Sequence, residues 1–339
     1  LDGAAFFINA VFLLTAAFLF AQPKPLKFSK QQIASETYET VGVFDVDNDG
    51  KLDLVSGAYW YKGPDFQARH YIGSAKRYGE YYDDFSTIPL DVNGDGLMDF
   101  ITGGWFGKQL VWKQNPGDGG EWQEHLIAEA GNIESTRSWD LDGDGIIEII
   151  PNTPNDSLVV YRLQLDGNKK GAGMFSKHSI FGPHGHGLGF GDINGDGLTD
   201  IIVSKGWLQA PEDTYKGEWK MHHEFDLGTA SVPIIVADVN KDGLSDLIVG
   251  QGHDYGLSWY EQKPATKKQK TQWTKHAIDP YNSQYHSMEW TDIDLDGENE
   301  LITGKRYRAH NGKDPGGNDE LGLYYFKWNG ENFSKQVID

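Results

Sequence analysis

Cysteine is absent from this 339-residue chain, and methionine occurs only four times. No disulfide framework and no thiolate metal or redox centre is therefore available. Positive charge is also scarce: 30 Lys and Arg stand against 50 Asp and Glu, a formal net charge of −20. That balance argues against nucleic acid as a partner, because binding it needs a basic footprint. Helical periodicity is missing after the N-terminal apolar run, residues 4–21. The length of that run suits a membrane span only marginally. Its position and the Ala21-Gln22-Pro23 end fit an export signal better, with a retained anchor as the alternative. Residues 1–21 are thus read as a cleaved signal that leaves no stable membrane span. Residues 22–339 are read as a single domain, exported to the periplasm, the cell surface or the medium.

What the chain does have is 42 Gly, 11 Trp and a ten-residue stretch that occurs six times. The copies start 46, 49, 52, 46 and 54 residues apart, too regular for chance. Each has an oxygen-bearing side chain at positions 1, 3, 5 and 9, Gly at 6 and an apolar residue at 10. The first holds Asp45, Asp47, Asp49 and Asp53; the second Asp91, Asn93, Asp95 and Asp99. The third holds Asp140, Asp142, Asp144 and Glu148; the fourth Asp192, Asn194, Asp196 and Asp200. The fifth holds Asp238, Asn240, Asp242 and Asp246; the sixth Asp292, Asp294, Asp296 and Glu300. Alternating hard oxygens around a turn-making Gly are what calcium takes, so up to six calcium ions are expected. The last acid falls at position 9 and runs straight into apolar β-branched residues, so these are strand–strand loops and not EF-hands. The loops hold 21 of the acidic side chains and account for the charge. Loops with Asn at position 3 carry one charge fewer and are expected to bind more weakly. Calcium also suits an exported protein that lacks disulfides.

The spaces between loops repeat as well. One strand enters the loop, a second leaves it, a third is aromatic (Leu110-Val111-Trp112, Leu257-Ser258-Trp259-Tyr260), and a fourth runs from an aromatic to an apolar end (Trp122 to Ile127, Trp273 to Ile278). Four antiparallel strands per unit of about 50 residues predict an all-β fold, a β-propeller of four-stranded blades. Six blades are expected, with the loop between first and second strands. An extra fourth-type stretch, Phe28 to Ile33, leaves seven as the alternative. The insertion from Lys263 to Gln272 reads as a solvated hairpin tip.

Residues 27–339 resemble the FG-GAP/VCBS calcium-propeller family, most plainly at Gly189-Phe190-Gly191-Asp192-Ile193-Asn194-Gly195-Asp196-Gly197. The resemblance implies a calcium-bound propeller, a fold used in adhesion proteins and in some carbohydrate-active enzymes. Three shorter stretches, His184-Gly185-His186-Gly187, Gln251-Gly252-His253-Asp254-Tyr255 and Gly304 to His310, resemble the propeller part of aldos-2-ulose dehydratase. That likeness implies sugar elimination chemistry. The cupin-like part of that enzyme has no counterpart in this sequence.

The repeat separates structural from chemical residues. Five of the 11 His fall at one fourth-strand position: His70, His125, His178, His222 and His276. They are read as structural. His184, His186, His223, His253, His286 and His310 remain. His186 and His286 each lie six residues before their loop, a position held by Glu134 and Val232 in two other blades. Strand direction puts this position, and the ends of the second strands, on the face away from the loops. His186, His253, His286, Tyr255, Lys305 and Arg306 are the catalytic candidates there. Trp105, Lys205, Trp207, Tyr307, Arg308 and His310 are the substrate-binding candidates, for a carbohydrate or other polar small ligand. Three readings stand side by side. In the first, His184 and His186, with His286 or His253, hold zinc or another transition metal. Alternatively, His or Tyr takes a proton α to a carbonyl while Lys305 or Arg306 stabilises the enolate. In the third, the His residues only line a wet channel. A non-catalytic glycan- or protein-binding propeller is the alternative function, and the oligomeric state is not legible.

Overall fold

The structure is a computed structural model and describes residues 26–264, 271–307 and 309–339. The signal or anchor segment 1–21, the expected hairpin tip at 265–270 and the candidate Arg308 lie outside the described residues.

The described chain forms six four-stranded antiparallel sheets, a six-bladed β-propeller, plus a two-stranded hairpin between blades one and two. The only helix among the described residues is a short 3-10 turn, Ala309–Gly312. The first strands are Gly42–Phe44, Ile88–Leu90, Ser135–Trp139, Leu188–Gly191, Ile235–Ala237 and Tyr285–Thr291. Each runs into its acidic loop and pairs with the strand that leaves it, as in Gly191↔Asp200 and Thr291↔Glu300. The second strands lie deepest. Every residue of Asp99–Gly103, Glu148–Asn152, Asp200–Val203 and Asp246–Gly250 is buried. This is why their sequences are apolar runs without alternation.

Apolar clusters fill the junctions from blade one to blade six. Ile150, Leu158 and Val160 of blade three, for example, meet Leu188, Phe190 and Ile201 of blade four. At the junction of blades six and one the N-terminal segment lies instead. The Phe28 ring contacts Tyr325 at 6.0 Å, Lys30 pairs with Asp339 at 2.5 Å, and Gln31 Nε2 donates to the Asp65 carbonyl at 3.0 Å. Phe28 to Ile33 therefore reaches the ring closure but forms no strand, and the described residues contain no seventh four-stranded blade.

The repeated fourth-strand His has a structural partner in four blades. His70, His125, His222 and His276 stack on Trp60, Trp112, Trp207 and Trp259, with centroids 4.2, 4.3, 4.2 and 4.5 Å apart. Each is paired directly across the third and fourth strands, the cross-strand contact that stabilises a sheet.

Candidate functional site

The position six residues before each loop reads Glu39, Phe85, Glu134, His186, Val232 and His286 around the ring. Because the first strands line the axis, these side chains ring the mouth away from the loops. Behind the mouth lies a channel of 1190 Å³, lined among others by Glu39, Glu134, His286, Lys305 and Arg306.

Four side chains from four blades meet there: Glu134, His186, His253 and His286. Glu134 Oε1 lies 3.2 Å from His186 Nε2, 3.0 Å from His286 Nε2 and 3.6 Å from His253 Nε2. The Nε2 atoms of His186 and His253 are 3.1 Å apart. Blades three and six face each other across the axis, so the Glu134–His286 contact closes the channel at its centre.

The outer nitrogens have fixed partners. His186 Nδ1 donates to the Ala230 carbonyl at 2.5 Å, and His253 Nδ1 donates to Asp314 Oδ2 at 2.8 Å. Arg306 Nη2 stands 3.2 Å from His253 Nδ1 and 3.7 Å from Asp314 Oδ2, so the nearer carboxylate keeps the Nδ1 proton in place. His310 stacks on His253 at 4.7 Å and gives a second bond to Asp314, at 2.8 Å. With the protons on Nδ1, the Nε2 lone pairs of His186 and His253 point at the spot where His286 Nε2 and Glu134 Oε1 also stand. Burial pushes His286 down to about 4, so its imidazole is neutral at pH 7. Burial raises the Glu134 carboxyl, but whenever an Nε2 of His186, His253 or His286 carries a proton its hydrogen bond outweighs burial and holds the group well below the usual carboxylate range, and a bound cation takes the place of those protons. A tetrahedral ion with bonds of about 2.0–2.1 Å separates its ligands by about 3.3–3.4 Å, which falls within the 3.0–3.6 Å of the four contacts given above. The donor set of three imidazoles and a carboxylate suits zinc and related ions.

Other expected site residues fall elsewhere. His184 sits before the strand, not on it. Gly185 and Gly187, at φ +81° and +111°, bend the chain there, and the His184 ring turns inward to Asn152, Nε2 to Nδ2 at 3.0 Å. It does not reach the cluster. Trp207 belongs to the third strand, Gly206–Gln209, and is buried under His222. Blade four turns at Ser204-Lys205, directly after Val203, so its second strand ends earlier than the spacing suggested, and Trp207 is a core residue rather than a ligand contact. Lys205 pairs with Asp226 on the surface, and His223 bonds the Lys205 carbonyl. Lys305 is buried with its ammonium 3.4 Å from the Gly317 carbonyl. Tyr255 donates to Asp319 at the rim, Tyr307 is 70% exposed, and the Trp105 carbonyl accepts from Asn132. Glu134, Glu39 and Asp314 were not picked out from sequence as site residues. The register that selected His186 and His286 also selects Glu134 and Glu39; no sequence signal marks Asp314.

On the opposite face the loops share one scaffold. Position 1 accepts from the Gly N–H at position 6 in every copy, as Gly50 N to Asp45 at 2.8 Å and Gly197 N to Asp192 at 2.8 Å. Position 9 is fully buried in every copy and accepts from the position 2 N–H, at 2.9 Å for Asp53, Asp99 and Glu148. Position 5 is exposed in every copy, whereas position 3 is exposed at Asp47, Asp142 and Asn194 and half-buried at Asn93, Asn240 and Asp294.

The fold and this repeated loop define the class: a six-bladed β-propeller with acidic turns. Residues 91–151 and 140–203 match the FG-GAP-like repeat family, so the chain carries FG-GAP-like repeats in blades two to four. No curated protein matches the chain. Among solved structures, an Agrocybe aegerita protein described by its recognition of non-reducing terminal N-acetylglucosamine shares the fold. It is 15% identical with a TM-score of 0.52, over 89% of this chain and 80% of that one. The Vibrio cholerae biofilm matrix protein Bap1 is also similar: 16% identity and a TM-score of 0.39, over 74% of this chain and 38% of that one.

Proposed function

We propose that the mouth opposite the loops is a transition-metal centre of Glu134, His186, His253 and His286, and that it acts on a carbohydrate or similar hydroxy acid by elimination. One observation carries the metal: three imidazole nitrogens and a carboxylate oxygen lie within 4.8 Å of one another, with Glu134 Oε1 3.0–3.6 Å from each Nε2, and Nε2 is an acceptor on His186 and His253 because Nδ1 holds their protons. Acceptors that close repel one another unless a cation lies between them. The ion, when bound, supplies a Lewis acid for a substrate carbonyl or carboxylate. Ala230 and Asp314 hold two rings in the ligating tautomer. Arg306 offers a cation to an anionic substrate group. Burial raises the Glu39 carboxyl, which moves it toward the range of a general base at neutral pH. Glu39 then takes the proton α to the carbonyl and returns it to the β-hydroxyl, which leaves as water while the Cα–H electron pair becomes the new C=C bond. We place calcium on the opposite face and the protein outside the cytoplasm, as the acidic loops and the apolar N-terminus suggest.

Metal analysis of the purified protein tests the centre; about one zinc-class ion per chain, lost in His286→Ala, is the expected result. The chemistry is tested by ultraviolet absorbance for new unsaturation with uronate polysaccharides and keto-sugars. No bound ion after zinc loading overturns the metal, and no signal across the panel overturns the elimination. The second reading is glycan binding without turnover, favoured by the shared fold with the N-acetylglucosamine-recognising protein. Glycan binding retained in His186→Ala and His286→Ala, with no turnover in the parent, selects it.

A further inference from the structure

The six loops fall into two classes, and a residue on the third strand marks which is which. Take the third-strand residue paired with the fourth-strand His or Gln: Trp60, Trp112, Val160, Trp207, Trp259 and Tyr325. Two residues further on stand Lys62, Gln114, Arg162, Gln209, Glu261 and Lys327. Blades one, three and six have the cation, and these same blades have Asp at loop position 3: Asp47, Asp142 and Asp294. Blades two, four and five have Gln or Glu, and these have Asn at position 3. The correspondence holds in all six blades.

The contacts explain it. Lys327 Nζ lies 2.6 Å from Asp294, 2.5 Å from Asp296 and 3.1 Å from Glu300, the carboxylates at positions 3, 5 and 9. Arg162 meets Asp142 at 3.3 Å, Glu148 at 3.5 Å and Asp144. Lys62 meets Asp49 at 2.9 Å and Asp47. In the other class the third-strand residue carries no positive charge and meets the fourth-strand His, while Gln209 also reaches Asp196 at 3.4 Å and Glu261 accepts from Asn240 at 3.1 Å. Gln114, Gln209 and Glu261 face His125, His222 and His276 at 3.1, 3.1 and 2.9 Å.

We infer that in blades one, three and six the side-chain cations of Lys62, Arg162 and Lys327 stand where a loop ion would sit, so calcium is confined to blades two, four and five. A four-carboxylate loop with its own cation and a three-carboxylate loop without one carry the same net charge. Only the second has no side-chain ammonium or guanidinium standing among its carboxylates in the place of a divalent ion. This reverses the ranking by carboxylate number alone, in which the Asn loops bind more weakly. The inference rests on the calcium reading of the loops.

The test is calcium stoichiometry of the full chain by native mass spectrometry and titration calorimetry, with melting curves beside it. The parent is expected to take three calcium ions. Lys62→Gln, Arg162→Gln and Lys327→Gln should each add one, melt lower in calcium-free buffer and be restored by calcium. Lys327→Arg keeps the cation and should behave as the parent. A parent that takes six ions overturns the inference, as do Gln variants whose stoichiometry does not rise. If the parent takes none but the Gln variants gain ions, calcium is lost from blades two, four and five while the substitution by side-chain cations stands.

Discussion

The two ends of this propeller use carboxylates in opposite ways. At the loop face each carboxylate belongs to a repeat and finds its partners within its own blade, as Asp45 accepts from Asp49 N and Gly50 N, Asp53 from Gly63 N, and Asp49 meets Lys62. At the mouth Glu134 is alone in its blade and is held by side chains of three others. The first arrangement is local, so it is copied with the blade. The second exists only when the ring has closed. Stability should therefore respond to the loops, and chemistry to the mouth.

Withdrawing calcium separates the two most strongly. An ion at 1,000 times its Kd adds about 4 kcal/mol per site, so calcium-free buffer should lower the Tm by many degrees in a thermal shift assay. Zinc binding at the mouth should be unaffected; a Tm that ignores calcium would break the comparison. Next, His286→Ala should weaken zinc binding by more than about 100-fold in a competition titration, with little change in zinc-free Tm. Asp314→Asn should cost about 10–100-fold, because the amide no longer holds the His253 tautomer. His222→Leu should remove about 1 kcal/mol from the Trp207 stack and leave both metal titrations alone. The smallest effect is a pH slope. Burial first, with the neighbouring loop carboxylates, raises Asp99, Asp200 and Asp246 to about 6. Each folded group holds a proton that the unfolded chain has released, so stability falls as pH rises from about 4 through 6. Calcium replaces that proton, and the gain in Tm on adding calcium should grow over the same range.

Much of the fold was legible because it repeats. Asp53 and its five counterparts set the loop, the apolar run after each set the second strand, and the stacked His at 70, 125, 222 and 276 marked the fourth. The site was legible in part. His186, His253, His286 and Arg306 were found as departures from the repeat, and they do meet. Trp207 and His184 were misplaced because turn length and a Gly-bent backbone decide where a strand ends, and spacing counts only residues. Asp314 was missed because it lies in an irregular segment of blade six that obeys no register.

By itself the sequence determined the blade, since strand alternation, a ten-residue turn and a cross-strand Trp–His pair are all short-range. It also carried the pairing of Asp with Lys or Arg that splits the loops into two classes. The tertiary structure decided the rest. Glu134 and His286 are 152 residues apart and touch at 3.0 Å because six blades, not seven, close the ring and set blade three opposite blade six. Only that closure brings three imidazoles and a carboxylate to one point.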